Sequence, residues 1–589
     1  ALVFARRLAQ SAGAEDLDRL RYIEVAIDRF RDAVRPFQSL PKDLRDDYST
    51  DARKRILEPA LALGRSLSLP APIAARLAAI DGDLDTAQKL AESLPRVRSD
   101  DTSVLQLRAE IAGAQSQVAF DQGAVDQAVA LIDAADQFLQ SAIAIHRSDA
   151  VLMQHACVLA TRRLSMLAAR AAEAPDDPAA LSRYCGDAVQ ADPRAAGTLE
   201  VLAMAWLTIA AAHDVRGESD AARVAFARSS VVISPSLADA AVRVESRLLF
   251  ARAELGLARL NLHIPERAEP HYDRCIAELQ RLVTTTPAYL PGLISLGEAH
   301  RDRGRFLANY KRDVEPDYAA AERHLRRAVT LSPDSVPAHE ALSKTLLFRF
   351  YQARDADFER ALGFARAAID AQDQVLSRQP DRPDAAFNQA ANFGDLWTYM
   401  AERAPSDQVS ATLPTLQQAL QLFERVRALA PQRPDTYEFE IGFRAQAGEI
   451  LRVAEQPRIT LLEPVPRLID AAAANAVRLN ESYVAWALTE LALATAATGS
   501  SETTRIFDQA RASLDRTLAV ADERHEAIRM SLPWAAQRAR WAMTRQEAPT
   551  PWLEFGERLL NEALATERGK GDNIIACEGA ALLAQKARY

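Results

Sequence analysis

Apolar and polar positions along the middle of this chain recur with a helical period, and the marks repeat in a fixed order. A large residue is followed by a small one, then an aromatic or His, then Ala, an aromatic and a further small residue, and finally Pro. One copy runs Trp206, Ile209, Ala210, His213, Gly217, Ala222, Phe226, Ser229 and Pro235. A second has Leu255, Gly256, Ala268, Tyr272 and Cys275; a third has Leu293, Leu296, Gly297, His300, Gly304, Ala321, Leu325, Ala328 and Pro333. Each copy predicts a helix, a turn and a second helix. Apolar residues three and four apart share one helix face. Proline lacks an N–H and disfavours helical geometry just before it, so it stops the second helix.

Further copies follow. Leu342, Leu346, Ala361, Ala365 and Ala368 form one whose second helix runs on to Pro380. Phe387, Ala390, Ala391 and Gly394 pair with Ala419, Phe423, Val426 and Pro431. Ile441, Gly442 and Ala445 open a unit that closes with Ala473, Ala476, Val477 and Leu479. Weaker copies flank these on both sides. Ile73 to Ala79, a turn at Asp81-Gly82-Asp83, and Ala87 to Leu94 give one; Ala112, Ala119, a turn at Gln122-Gly123, and Ala128, Ile132 and Ala135 give another. Beyond residue 480, Tyr483, Trp486, Leu491 and Gly499 pair with Phe507, Ala510 and Leu514, and Trp534, Trp541 and Trp552 mark amphipathic helices.

The arrangement W-x2-L-G-x2-Y, A-x3-F-x2-A, P resembles the tetratricopeptide repeat, whose unit is about 34 residues. The resemblance implies an all-α, right-handed superhelical solenoid, because one hairpin cannot bury its apolar face alone and must stack on its copies. The small residues Ala210, Gly256 and Gly297 are expected to let the second helix of a hairpin approach the first. Phe226, Tyr272 and Leu325 are expected to fill the space between hairpins. Two copies exceed the family period: about a dozen residues stand between helices at Phe306 to Asp317, and extra turns follow Cys275 before Pro287. The division that follows is a helical linker or cap over 1–69, degenerate repeats over 70–185, a repeat core over 186–480, and degenerate repeats with a cap over 481–589.

Composition agrees with helix: 49% of residues are hydrophobic, 6% aromatic, and no run of alternating β-branched residues predicts a strand. A net charge of −9 argues against nucleic acid as the main ligand, since phosphate neutralisation needs a basic stripe. Seven of the 71 basic residues are lysine, a bias that reads as a GC-rich bacterial genome. Cys157, Cys185, Cys275 and Cys577 form no CxxC and read as buried apolar side chains rather than metal or redox groups. No apolar run near 20 residues predicts a membrane span, and the start lacks the order of a signal peptide. The first residue is not Met, which reads as a segment of a longer or processed protein.

A search for catalytic chemistry returns nothing that assembles. His339-Glu340 and His525-Glu526 begin like HExxH, but Ser343 and Arg529 stand where the second His is needed. Arg568-Gly569-Lys570-Gly571 lacks the first glycine of a phosphate loop. No catalytic residue, metal or cofactor is expected. Function is assigned to the groove, where the resemblance implies that repeat positions two, five, nine and twelve of the first helix face a peptide. Those positions select Ile294, Glu298 and Arg301, then Glu340 and Lys344, then Asn388, Asn392 and Asp395. Amides pair with a peptide backbone and basic groups hold carboxylates, although an empty groove must also be polar to stay soluble. The expectation is a cytoplasmic, non-catalytic scaffold or sensor that binds a protein or peptide. Self-association is a further possibility. It resembles the repeat regions attached to bacterial serine/threonine kinases or STAND regulators. The alternatives are a helical-superstructure enzyme such as a lytic transglycosylase, and a nucleic-acid reader built from helical repeats.

Overall fold

The structure, a computed structural model, describes residues 102–169 and 196–589. The short segments 122–123, 148, 238–242, 499–501, 521–523 and 567–571 are excepted; Ala74, Ala78, Ala87, Lys89, Cys185 and Gly186 are described in addition. The cap expected over 1–69 and most of the first degenerate hairpin lie outside the described residues, as does the Gln122-Gly123 turn. Every regular element among the described residues is helical. The chain forms two compact units, Ala1–Thr345 and Leu346–Tyr589.

In the first unit, α1 (Thr102–Asp121) and α2 (Val125–Ile145) form a hairpin, and α3 (Ala150–Ala169) packs on α2. The stripe Ala128, Ile132, Ala135, Leu139 and Ala142 of α2 is buried against Ala109, Ala112 and Ala119 of α1 and Leu152, Ala156 and Leu159 of α3. Contrary to the sequence expectation, α2 is long and apolar enough by composition to cross a membrane, with one stripe buried against α1 and α3 and most of the helix left partly or fully exposed. Three further hairpins follow: α4 (Ala196–Val215) with α5 (Ser219–Ile233), α6 (Val244–Leu260) with α7 (Pro265–Thr285), and α8 (Leu290–Asn309) with α9 (Glu315–Leu331). Helix α10 (Val336–Ala353) contains the point at which the two units divide.

First helices α4, α6, α8 and α10 begin 46 to 48 residues apart, not the 34 of the resembling family. The difference is helix length. The residues expected as an insert at Phe306 to Asp317 are mostly helix: α8 continues to Asn309, Phe306 is fully buried, and Gly304 lies against the Tyr318 ring. Proline ends the helices as predicted, with α5 stopping at Ile233 before Pro235, α7 at Thr285 before Pro287, and α9 at Leu331 before Pro333.

The long unit is visible in its hydrogen bonds. Ser246 donates to Glu200 at 2.6 Å, Arg259 to Asp302 at 2.7 Å and Tyr310 to the Leu262 carbonyl at 3.0 Å, across separations of 46, 43 and 48 residues. Each bond joins near-equivalent positions of successive hairpins.

In the second unit, α11 (Phe358–Arg378) packs on α12 (Pro383–Arg403), and α12 pairs with α13 (Leu413–Leu429). Then α14 (Pro434–Val453) is followed by two short helices, α15 (Ile459–Leu462) and α16 (Val465–Ala474). The sequence pattern had placed Ala476, Val477 and Leu479 on that second helix. They lie beyond it, because the helix ends at Ala474 and Ala476 takes φ 56°, a left-handed turn. Next come α17 (Glu481–Thr498) with α18 (Thr503–Leu518), then α19 (Arg524–Thr544), α20 (Thr550–Leu564) and α21 (Asn573–Arg588). One buried cluster extends from Tyr437 to Leu582, and Trp534 is its largest fully buried side chain. Arg511 lies 3.4 Å above the Phe555 ring and Arg538 4.6 Å from the Trp552 ring, so guanidinium faces complete the aromatic packing. Lateral bonds recur here: Tyr399 donates to the Arg354 carbonyl at 3.1 Å and Thr398 to Gln446 at 3.0 Å, 45 and 48 residues apart.

The cysteines depart from the sequence reading in two ways. Cys157 and Cys185 are joined in a disulfide with a Cα–Cα distance of 4.7 Å, and Cys577 is exposed on α21. Spacing alone did not show the pair because the partners stand 28 residues apart on separate elements. Cys275 is buried as expected, and burial pushes its thiol up.

Candidate functional site

The eight residues selected from the sequence fall into two sets, one in each unit. In the first unit, Ile294 and Arg301 are only 7% exposed. Ile294 belongs to the core. Arg301 donates to Asp302 at 2.9 Å, and Asp302 also receives Arg259 from the preceding hairpin. Burial would raise the Asp302 carboxyl, but the Arg301 and Arg259 charges outweigh it and hold it below its ordinary value. Arg301 is therefore a buried member of a charge cluster between hairpins whose other guanidinium, Arg259, reaches solvent. Glu298 is half-buried, and Lys344 is exposed and pairs with Glu340 one turn earlier at 3.5 Å. Of this set, Glu298, Glu340 and Lys344 reach solvent.

In the second unit Asn392 is buried, while Asn388 and Asp395 are half-buried. Asp395 sits in a cleft of about 290 Å³ lined by Tyr351, Arg354, Thr398, Tyr399 and Gln446 among others. The Tyr351 hydroxyl donates to it at 2.5 Å. Burial pushes the Asp395 carboxyl up, against the Tyr351 bond and the Arg354 charge. Arg403 stacks on the Tyr399 ring at 4.1 Å and donates to the Arg354 carbonyl at 3.0 Å, closing one side of the cleft.

A larger cleft, about 580 Å³, escaped the sequence reading. It opens in the second unit where the first helices α14, α17 and α19 meet α21. Glu449 and Arg452 come from α14, Tyr483, Trp486, Thr489 and Glu490 from α17, Glu526 and Arg529 from α19, and Glu578 from α21. Arg452 donates to Glu490 at 3.1 Å, and Arg529 to Glu526 at 2.8 Å. Glu449 and Glu578 have no ion-pair partner among the described residues. Burial pushes the Glu490 carboxyl up against the Arg452 charge; burial pushes Glu578 up as well, against the same Arg452 charge and with Glu449 adding to the rise. Thr489 is buried in the wall, and its hydroxyl oxygen has no hydrogen-bond partner. No local motif announces this cleft, because its carboxylates are spread over four helices and each reads singly as a solvated helix face.

No family model matches the chain, and no curated protein matches it. Among solved structures it is similar to a monomeric IFIT1 mutant with Gppp-AAAA, at 11% identity, covering 91% of this chain and 99% of that one with a TM-score of 0.35. The human IFIT1 dimer with PPP-AAAA is similar at 12% identity, 83% and 98% coverage and a TM-score of 0.35. An APC/C hetero-tetramer, Cut9-Hcn1, is similar at 12% identity, 90% and 98% coverage and a TM-score of 0.25.

Proposed function

We propose that this chain is a non-catalytic helical-repeat scaffold that binds a protein or peptide partner on the faces of its first helices. One observation carries the reading. The second unit's first helices leave a roomy, polar and aromatic cleft open to solvent while their inner faces are packed into one core. Clefts of this size with a few convergent polar groups are where ligands dock. Glu298, Glu340, Lys344, Asn388 and Asp395 present polar groups on other first helices and belong to the same proposal. So does the finer placement as the interaction segment of a larger bacterial signalling protein in the cytoplasm, which rests on resemblance and composition alone.

The test is affinity capture with the intact chain beside a Glu298→Arg, Lys344→Glu, Asn388→Ala variant whose circular dichroism is unchanged. A partner held by the intact chain and released by the variant, then rebuilt from purified components, supports the reading. Capture that is identical for both forms removes these residues from it.

A further inference from the structure

The outer face of α21 is apolar and open to water. Ala576, Cys577, Ala580, Ala581, Leu583 and Ala584 are all exposed, and at the helical period they sweep an arc of about 160°. No described side chain in that arc carries a charge. The opposite face, with Ile575, Gly579 and Leu582, is buried where α21 packs on α19 and α20. A helix with one side in water ordinarily carries polar residues there, and a contiguous apolar face marks a contact surface. The repeat itself says what belongs on it. A Cβ at Gly579 would stand 2.5 Å from Leu560 of the preceding helix α20, as one at Gly256 would stand 2.3 Å from Phe226 of α5. The two glycines set a common register, in which Ala576, Cys577, Ala580, Ala581 and Ala584 answer to Ala253, Glu254, Leu257, Ala258 and Asn261 of α6. Those five residues of α6 are at most 5% exposed. There the second helix α7 packs antiparallel on α6, with His271 and Arg274 bonded to Glu254. The open face of α21 is thus built to carry an antiparallel helix.

We infer that a second copy of this chain supplies that helix, α21 packing on α21 about a two-fold axis at Ala580. This adds to the scaffold reading and does not rest on it. A two-fold axis across a helix makes the pair antiparallel, the direction a hairpin partner takes. Leu583 of one copy then faces Cys577 of the other, Ala576 faces Ala584, and Ala580 meets its own equivalent, so small residues let the axes approach as they do within the hairpins. Charge selects the same occupant. The helix starts beside Asp572 and ends with Lys586 and Arg588; an antiparallel pair sets each acidic start near the other copy's basic end and opposes the two helix dipoles. The occupant needs an apolar stripe and a basic end opposite Asp572, and α21 has both. Asp572 keeps its bond to His525 at 3.0 Å and Lys586 its bond to Glu557 at 2.6 Å, so these charges steer the pairing without being buried by it. One helix face is small beside the roughly 20–30 residues a side of a standard interface, which puts the expected dissociation constant at about 1–100 µM.

Sedimentation equilibrium of the full chain, from about 1 to 500 µM, brackets that range. The expected result is a reversible monomer–dimer equilibrium. Ala580→Glu with Leu583→Glu brings four like charges together in the pair and is expected to weaken association by about tenfold or more. Both side chains already face water, and unchanged circular dichroism verifies that the variant folds. The control Val231→Glu, at a 71% exposed position on α5, leaves association unchanged. A second measurement reads the register. In a Cys577→Ser background, Ala580→Cys is expected to be joined to its own equivalent by a short bismaleimide, whereas Lys586→Cys, displaced along the helix from the axis, is not. A chain that stays monomeric throughout overturns the inference, and so does a dimer that survives the double glutamate variant or fails equally in the control. Linking at position 586 but not at 580 overturns the antiparallel pairing. A monomer whose captured partner is lost in the Leu583→Glu variant gives the face to a different protein and overturns self-pairing.

Discussion

Gly256 on α6 lies directly under the ring of Phe226 on α5, and a Cβ at 256 would stand 2.3 Å from that ring. The small residue of one hairpin therefore admits the aromatic of the hairpin before it. Gly297 behaves differently, since its added Cβ would meet Leu325 of its own hairpin at 2.5 Å. The same sequence mark thus serves two packing tasks.

Gly256→Ala should destabilise the first unit. Overpacking costs about 1–3 kcal/mol, while alanine returns about 1 kcal/mol of helix propensity. A net loss that a second change, Phe226→Leu, recovers would appear in urea unfolding of the single and double variants. If the two substitutions simply add, the contact is not the cause.

Glu200 is fully buried beside Arg243 and receives a hydrogen bond from Ser246. Burial pushes its carboxyl from 4.5 up to about 7, against both partners. Below the unfolded value both states hold the proton. Between the two values the folded chain keeps a proton that the unfolded chain has released, so stability falls as pH rises and levels off above about 7. Glu200→Gln removes this titration, and its stability relative to the native chain should climb across that window by at most about 3 kcal/mol. Urea midpoints on either side of the window measure it.

The Cys157–Cys185 bond closes a loop of 28 residues. Chain-entropy arguments give such a cross-link about 3–4 kcal/mol. Reduction, or Cys157→Ser with Cys185→Ser, should lower the unfolding temperature of the first unit while leaving a Cys577→Ser variant unaffected. Alkylation of rapidly quenched cells should find both thiols free if the chain works in a reducing cytoplasm.

Tyr351→Phe takes away the one hydroxyl that donates to half-buried Asp395. The expected cost is about 1–3 kcal/mol, as for a polar group left without its partner, and Asp395→Asn should restore part of it. Should partner capture depend on Asp395 while Tyr351→Phe costs nothing, Asp395 is a contact residue and not a tie between helices.

Helices and their ends were legible because proline and apolar spacing act locally. Pro235, Pro287 and Pro333 each stand just past a helix end. The length of the repeating unit was less legible: matching to a 34-residue pattern turned the last turn of α8 into an apparent insert, though Phe306 is buried there. The site was the least legible part. Position within a repeat says which way a residue points only if helix length is known, and five-turn helices carried Ile294, Arg301 and Asn392 into the interior. The C-terminal cleft depends on Glu449, Glu490, Glu526 and Glu578 converging from four helices, and no single window contains that convergence.

The bonds that join successive hairpins, Arg259 to Asp302, Tyr310 to Leu262, Thr398 to Gln446, span nearly one whole unit each. Such a chain has a quantum of length. Duplicating or excising an entire hairpin of about 46 residues within a unit keeps the helices that remain in register with one another, at the cost of the few side-chain bonds at the new junction. Losing three residues from the middle of a helix rotates all that follows and strands these partners together. Growth by copying whole hairpins is therefore the change this architecture tolerates, and small edits inside its helices are the ones it rejects.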